Sequence, residues 1–218
     1  MRRWKLQSCE LDMINKEIIK QLYEDLGGHG FNHVERVHKL SMKIAEKEKN
    51  IDLQIIDAAA WLHDIARTKE SRGECICHAE EGTKMAESFL KKINFPEEKI
   101  PKVKYAISVH RYSKNMKAET KEAEILQDAD RLDALGAICI ARVFMYNGHR
   151  GLPLYEPDKK PDKEYHGQDS NAINHFYEKI LKIKPSTFHT KFAQKIAKER
   201  YKFLEEFLER FKKEWNEV

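Results

Sequence analysis

Apolar residues recur at helical spacing along nearly the whole chain, and the sequence contains no alternating strand pattern of any length. An alanine-rich stretch from about Leu53 to Ala66 is so weakly polar that it predicts a buried helix. The pattern as a whole predicts an all-α fold. Five apolar stripes, each the expected buried face of one helix, come first. The first contains Leu11, Ile14, Ile18, Leu22 and Leu26 and is ended by Gly27-Gly28, the second contains Val34, Val37, Leu40, Ile44 and Ala45, and the third is the stretch 53–66. The fourth contains Gly82, Met85, Ala86, Phe89, Leu90 and Ile93, and the fifth contains Val103, Ala106, Ile107 and His110.

The second half of the chain predicts three more helices and one long loop. A sixth helix is expected from Glu122 to Tyr146, followed by a loop rich in glycine, proline and charge from Asn147 to Asp169. Two further helices are expected over Ala172 to Ile183 and roughly Phe188 to Phe211. Because loops of this length are uncommon in compact domains, this one is interpreted either as a solvated connector or as a lid over an anionic substrate.

Length and composition favour one globular domain. The 218 residues suffice for a full hydrophobic core, and 41% apolar against 35% charged residues argues against disorder. We expect a single domain, 1–218, in which a metal-binding helical core of about 28–146 precedes the loop 147–169 and the C-terminal helices, 170–213. The net charge of +4 allows attraction of anionic ligands but does not favour nucleic acid as a partner.

The sequence predicts a cytoplasmic protein without a membrane partner. No segment is apolar enough for a transmembrane span, and the basic start lacks the apolar stretch of a signal peptide. The four cysteines have no disulfide-like spacing and are interpreted as free thiols: Cys9, Cys75, Cys77 and Cys139. The run Cys75-Ile76-Cys77-His78 has no second pair of ligands, so a structural zinc site is not predicted.

The chemistry of the chain is concentrated around "AWLHDIAR", where His63 and Asp64 stand inside an apolar run. A buried carboxylate has to be paired, hydrogen-bonded or bound to a cation, because burying it alone is very costly. His33 lies on the apolar side of the second predicted helix. The sixth predicted helix supplies three carboxylates, Asp128, Asp130 and Asp133. Two histidines and several carboxylates fit an ion site suited to Mn, Fe, Mg, Co, Ni or Zn.

Taken singly, such histidines are typical of core residues, and such aspartates of ion pairs with Arg131 or Arg142. Their order, H…HD…D on successive helices, resembles the HD superfamily of metal-dependent phosphohydrolases. The matching stretches are "HVERV", "WLHDIAR" and "DADRLDALGA". With "HAEEGTKMAESFL" and "NAINHFYEKILKI", they are similar to a bacterial YedJ/YpgQ-like subgroup over about Gly28 to Arg200. The resemblance implies four metal ligands, His33, His63, Asp64 and Asp130, with Asp130 preferred because it directly precedes "RL".

The resemblance also implies a second group of site residues. Binuclear members add two histidines between the HD pair and the last aspartate, and His78 and His110 occupy that interval, so one or two divalent ions per chain are expected. Arg67 stands where some mononuclear members carry a glutamate, which leaves the general acid unassigned. The guanidinium of Arg67 could hold a phosphate group, or Arg67 could be an ordinary surface residue. Asp64 and Arg67 are the catalytic candidates. The candidates for contact with substrate phosphate are His29, Arg131 and Lys179.

The implied activity is metal-dependent hydrolysis of a phosphoester or phosphoanhydride by a metal-activated water. The expected substrate is a nucleotide or another phosphorylated small molecule, with pyrophosphate release from a nucleoside triphosphate as one form of the reaction. Two other hypotheses remain at this point: a di-iron oxygenase built on the six-ligand variant of the same site, and a metal- or nucleotide-binding module without turnover. Bound iron and oxygen-dependent loss of substrate would indicate the oxygenase.

Overall fold

The computed structural model describes residues 14–24, 30–163 and 170–217, and within these ranges the regular structure is helical, without strands. This confirms the predicted all-α class. Short 3₁₀ turns occupy Glu97–Lys99, Tyr112–Lys114, Ile180–Lys182 and Pro185–Thr187. The α-helices are α1 (Lys16–Lys20), α2 (Phe31–Ala45), α3 (Leu53–Leu62), α4 (Arg67–Ser71), α5 (His78–Lys92), α6 (Ile100–Val109), α7 (Lys121–Asp133), α8 (Ala137–His149), α9 (Ala172–Glu178) and α10 (Lys191–Asn216).

Helix α3 lies at the centre of the bundle. It packs against α2, α6 and α7, and every residue from Ile55 to Leu62 is buried. Its run of alanines has small side chains, which let neighbouring helices approach closely. The helix ends at Leu62, earlier than the predicted Ala66, and His63 is its C-terminal cap. The HD pair therefore lies where the central helix ends, with its side chains directed among the neighbouring helices.

The predicted sixth helix, Glu122 to Tyr146, is wrong as a single element, because the structure divides it into α7 and α8. Gly136 separates them, with φ 82° and ψ −159°. This backbone region is essentially reserved for glycine. A Cβ atom at this position would lie 3.1 Å from Cγ of Arg200. The continuous apolar pattern concealed the break, since both helices bury apolar residues in the same core.

The first predicted stripe is also wrong in its phase. Ile18 is 44% exposed, whereas Ile19 is completely buried. The reason is that α1 begins only at Lys16, after the cap Asn15, so Ile14 precedes the helix and does not set its face. Leu11 and Leu26 of that stripe lie outside the described residues.

The C-terminal helix α10 is attached to α7 by a buried carboxylate. Asp128 accepts hydrogen bonds from the backbone amides of His189 and Thr190, both at 2.8 Å, and from the Thr190 hydroxyl at 2.8 Å. Thr190 is in turn the N-cap of α10. Asp128 thus binds the start of the last helix, and the predicted boundaries of Phe188 to Phe211 move to Lys191–Asn216.

The predicted loop begins later than expected, because residues 147–149 belong to α8, and its described part, 150–163, is bound to α9. The amides of Ala172 and Ile173 donate to the carbonyls of Pro153 and Leu154, at 3.1 and 3.2 Å. Asn174 Nδ2 donates to the carbonyl of Lys159 at 2.9 Å. None of the described helices combines the length and the apolar character that crossing a bilayer requires.

Candidate active site

The four predicted ligands come together beneath one cavity. Oδ2 of Asp64 lies 3.6 Å from Nε2 of His33 and 3.9 Å from Nε2 of His63. The two Nε2 atoms are 3.3 Å apart. Asp130 approaches from α7, with Oδ1 3.5 Å from His33 Nε2. Helix α2, the segment that follows α3 and helix α7 therefore bring the four predicted ligands close together.

The other oxygen of Asp64 faces the second pair of histidines. Oδ1 lies 3.2 Å from Nε2 of His78 and 3.5 Å from Nε2 of His110. These two Nε2 atoms are 3.4 Å apart. His78 begins α5 and His110 caps the end of α6. Asp64 is consequently shared by two groups that could each hold an ion: His33, His63 and Asp64, and Asp64, His78 and His110.

The outward nitrogens of all four imidazoles are bound to acceptors of the protein. Each Nδ1–H that donates outward leaves the inward Nε2 with a lone pair, which is the form of histidine that binds metals. The donor set of imidazole nitrogen and carboxylate oxygen therefore fits divalent transition metals. The acceptors are Asp133 Oδ2 for His33 (2.7 Å), the Ala60 carbonyl for His63 (2.9 Å), Glu70 Oε2 for His78 (2.8 Å) and the Ile107 carbonyl for His110 (2.6 Å).

The electrostatics of the cluster favour an ionised Asp64 among imidazoles. Burial lowers the pKa of His63 to about 4 and lowers that of His78 as well. Burial opposes ionisation of Asp64, but His63, His110 and Arg67 outweigh it and hold the pKa of that carboxyl well below its usual range. Burial also opposes protonation of His110, yet its hydrogen bond to Asp64 raises its pKa. A positive charge beside Asp64 is thus stabilised, as binding of a cation requires.

Asp133 supports the first group of ligands from outside. Its carboxylate accepts from His33 and also from Arg36 Nε at 2.6 Å and Arg142 Nη1 at 2.7 Å. The side chain is 2% exposed. Burial opposes its charge, but His33, Arg36 and Arg142 hold the pKa of this carboxyl far below its usual range. Asp133 therefore fixes the ring of His33 and carries a permanent negative charge behind it.

Glu70 supports the second group in a similar way, and sequence reasoning missed it. Besides His78, its carboxylate accepts from Arg67 Nη1 at 2.9 Å and Arg111 Nη1 at 2.6 Å. It lies in α4, the short polar segment "RTKES" with no buried residue. Its polar neighbours resemble an ordinary solvated turn, so no apolar signal could have found it.

A cavity of about 510 Å³ opens above the predicted ligands, and five cationic side chains from the described part of the chain line its wall. Arg67 and Lys179, predicted from the sequence, both line it, as does the missed Tyr112. His29 lies outside the described residues. Asn147, predicted as the start of the loop, lies in α8 and lines the cavity, whereas residues 150–163 do not, which gives the lid interpretation no support. The cationic side chains of the wall are Arg67, Arg111, Arg131, Arg142 and Lys179.

Arg131 is placed at the cavity wall with much of its guanidinium engaged by the protein. Nη2 donates to Gln127 Oε1 at 2.8 Å and Nη1 to the carbonyl of Thr187 at 3.1 Å. Its Cζ lies 5.3 Å from the ring centroid of Tyr112, a cation–π contact. Arg131 therefore supports the aromatic part of the wall, and its contact with substrate phosphate stays a prediction. Arg111, adjacent to the predicted ligand His110, is an additional cation that chain adjacency alone could have suggested.

The helical fold and the paired His–Asp centre are those of the HD domain, and residues 30–135 match the HD domain family model. YpgQ of Bacillus subtilis (strain 168) is 32% identical over 194 residues, which cover 88% of this chain and 87% of YpgQ. The chain therefore belongs to the HD superfamily of hydrolases, as the sequence motifs predicted.

Solved structures extend this relationship over nearly the whole chain. A protein from Lactobacillus plantarum is 32% identical with a TM-score of 0.77, covering 95% of this chain and 97% of that one. An HD-superfamily hydrolase from Bacillus thuringiensis is 37% identical with a TM-score of 0.72, covering 92% and 94%. The structure of B. subtilis YpgQ in complex with ADP has a TM-score of 0.69 at 29% identity, covering 91% and 92%.

Proposed function

We propose that this protein is a metal-dependent phosphohydrolase that cleaves a phosphoester or phosphoanhydride bond of a nucleotide. The observation that carries the proposal is the position of Asp64. Its two carboxylate oxygens face two separate pairs of imidazole nitrogens under a cationic cavity. The imidazoles and carboxylates would hold divalent ions, and the cationic side chains of the cavity would bind phosphoryl oxygens, a combination suited to phosphoryl transfer.

We assign two ions to the site. His33, His63, Asp64 and Asp130 would hold the first, and Asp64, His78 and His110 the second. The second assignment is supported by the short distances from Asp64 Oδ1 to His78 and His110, 3.2 and 3.5 Å, and by the outward anchoring of both rings. Two buried histidines serving only the core would not need to converge on a shared carboxylate oxygen.

Bound divalent ions would supply a nucleophilic water at neutral pH and would polarise the phosphoryl group. The chain itself contributes orientation and charge. Arg67 and Arg111, which line the cavity above His78 and His110, are suited to bind the equatorial oxygens of the transferred group. Lys179 and Arg142 line the same cavity and would stabilise the charge of the leaving group. His63 and Asp64 are buried from bulk solvent, while the cavity that Asp64 lines leaves room for the nucleophilic water.

A nucleotide is the proposed substrate for two reasons. The cavity of about 510 Å³ is within the range typical of small-molecule sites, and it combines cationic side chains with the aromatic rings of Tyr112 and Tyr146. YpgQ, a relative that resembles this chain over most of its length, has been crystallised with ADP. Cleavage within the polyphosphate of a nucleoside triphosphate, releasing pyrophosphate, is the form of the reaction to test first.

The test combines metal analysis with an assay of products. The purified protein should contain between one and two divalent ions per chain and should release phosphate or pyrophosphate from members of a nucleotide panel with added Mn²⁺ or Mg²⁺. A His63→Ala, Asp64→Ala variant should lose both the metal and the release. Wild-type protein that binds ions without releasing either product would overturn the hydrolase proposal. Bound iron with oxygen-dependent substrate loss would assign the site to oxygenase chemistry instead.

A further inference from the structure

We propose that Glu70 is a positioning residue for the second group of candidate ligands, which contains His78 and His110. Glu70 fixes the ring of His78, and it holds Arg67 and Arg111 together as a pair that can bind anionic oxygens. This inference rests on the proposed function, because it assigns a role within the same cavity. Glu70 acts through the three side chains that it binds.

Four donors converge on the carboxylate of Glu70. Oε2 accepts from His78 Nδ1 at 2.8 Å and from Arg67 Nη1 at 2.9 Å. Oε1 accepts from Arg111 Nη1 at 2.6 Å and from the backbone amide of His78 at 3.3 Å. Arg67 Nη1 also lies 3.0 Å from His78 Nδ1. Because both of these nitrogens carry hydrogens, the carboxylate between them is the acceptor that they share.

These contacts set the geometry of a clamp. Arg67 begins α4 and Arg111 follows α6, so two guanidinium groups from distant parts of the chain meet at one carboxylate. Without that carboxylate their like charges would repel each other. With it, the two arginines and Glu70 carry one net positive charge toward a cavity that both arginines line. A bidentate guanidinium fork matches phosphate oxygens well.

The contacts of Glu70 argue against a role as proton donor. Both of its oxygens already accept hydrogen bonds, from His78 and Arg67 on one side and from Arg111 and the His78 amide on the other. A carboxylate with four donors bound is suited to orient its neighbours.

The test uses Glu70→Gln, which keeps the shape but removes the charge, with Glu81→Gln as the matched control. Glu81 pairs with the nearby Lys69 and Lys84 and does not line the cavity. In metal-free protein, ¹⁵N NMR of His78 should show the Nδ1–H tautomer in the wild type and in Glu81→Gln, and a mixture in Glu70→Gln. Titration with Mn²⁺ alone should show affinity at the second position weakened about 10- to 100-fold by Glu70→Gln.

Kinetics separates the clamp from general stability. Glu70→Gln should raise KM for the nucleotide about tenfold or more, the cost of a misplaced charged donor pair, and Glu81→Gln should leave it unchanged. Glu70→Asp keeps the charge one methylene further back and should give intermediate values; it also carries the test if Glu70→Gln does not fold. An unchanged His78 tautomer with unchanged Mn²⁺ affinity would overturn the inference alone. A wild type that releases no product would overturn the proposed function but leave the NMR test of Glu70 intact.

Discussion

The site has two halves, one on each side of the Asp64 carboxylate: the first contains His33 and His63, and the second contains His78 and His110. Both halves have the same arrangement of hydrogen bonds, but their supporting carboxylates differ in exposure. On each side, one histidine at a helix end donates to a carbonyl three residues earlier, His63 to Ala60 and His110 to Ile107. On each side, the other histidine donates to a carboxylate that also binds two arginines. That carboxylate is Asp133 for His33 and Glu70 for His78, with side chains 2% and 19% exposed.

This difference indicates a division of work between the halves. The histidines of both halves are buried, but the supporting carboxylate of the first half is the more buried one. The first half also has the extra carboxylate of Asp130, whereas among the described residues no fourth ligand candidate joins Asp64, His78 and His110. Low dielectric and more anionic ligands strengthen binding of a cation. We therefore expect the first half to retain its ion and the second half, next to the arginines of the cavity, to exchange its ion and to bind substrate oxygens.

The largest effect is expected for the residue that both halves share. Asp64→Asn removes the bridging charge, so both ions should be lost and product release should fall at least about a thousandfold, equivalent to roughly 4 kcal/mol. Elemental analysis and initial rates measure this. The matched control is Asp57→Asn, since Asp57 is a buried aspartate of the preceding helix α3. It binds His38 at 2.7 Å and does not line the cavity. Retention of one tightly bound ion by Asp64→Asn would contradict the shared role.

The two supporting carboxylates should differ in their contribution to stability. Asp133→Asn leaves Arg36 and Arg142 without a buried counter-charge, and the free energy of unfolding of the metal-free protein should fall by about 3 kcal/mol. Glu70→Gln should cost about 1 kcal/mol or less, because more exposed ion pairs contribute little. Urea denaturation measures both. Equal losses would show that exposure does not distinguish the halves.

The two carbonyl-anchored histidines should produce opposite pH dependences in the metal-free protein. The unfolded chain protonates residue 63 near pH 6.5, whereas the folded pKa of His63 is about 4, so its contribution to stability is lost as the pH falls between these values. The folded pKa of His110 is raised, so its contribution is present below about pH 6.5 and is lost as the pH rises through the folded pKa.

Substitution by glutamine separates these two contributions. His63→Gln should remove a loss on the order of 3 kcal/mol below about pH 6.5. His110→Gln should remove the decline in stability above that pH. Urea midpoints between about pH 4 and 9 measure both effects. Identical pH profiles for the two variants would refute the assignment.

The smallest expected difference concerns two glycines with positive φ, one behind each half. Gly136 precedes α8, which carries Arg142, and Gly73 follows α4, which carries Arg67 and Glu70. Gly136→Ala should cost about 2 to 3 kcal/mol, because the backbone region is strained and Arg200 blocks the new Cβ. Gly73→Ala should cost about 1 kcal/mol, because nothing lies within 4 Å of its Cβ. Thermal unfolding measures both, and a larger cost at Gly73 would contradict the ranking.

The periodicity of apolar residues was sufficient to predict the helical class. The order of the motifs was sufficient to predict that His33, His63, Asp64 and Asp130 lie close together. These features are predictable because burial imposes a regular apolar spacing and because ligands lie in apolar surroundings. The break at Gly136 was not predictable from the same spacing, since the apolar residues continue across it. A single glycine in a helical pattern does not reveal its φ.

Glu70 illustrates a different limit. Its partners His78 and Arg111 are 8 and 41 residues away, and it stands in a segment without buried residues. Only the packing of α4, α5 and α6 brings these charges together. Asp128 shows the opposite limit. Its position near the predicted ligand Asp130 suggests a place in the site, but its carboxylate binds the backbone amides of His189 and Thr190.

The attachment of α10 to Asp128 has a consequence for how the protein is made. The amides that Asp128 accepts belong to residues 61 and 62 positions further along the chain. Because a ribosome releases the chain from its N-terminus, α7 emerges well before these partners do. Until Thr190 has left the exit tunnel, Asp128 lacks these partners, so we expect its carboxylate to stay hydrated and the packing of α7, which also carries Asp130, to stay incomplete. We therefore expect the proposed ion-binding centre to reach its native geometry only late in translation, after the stretch that matches the HD family model has been synthesised.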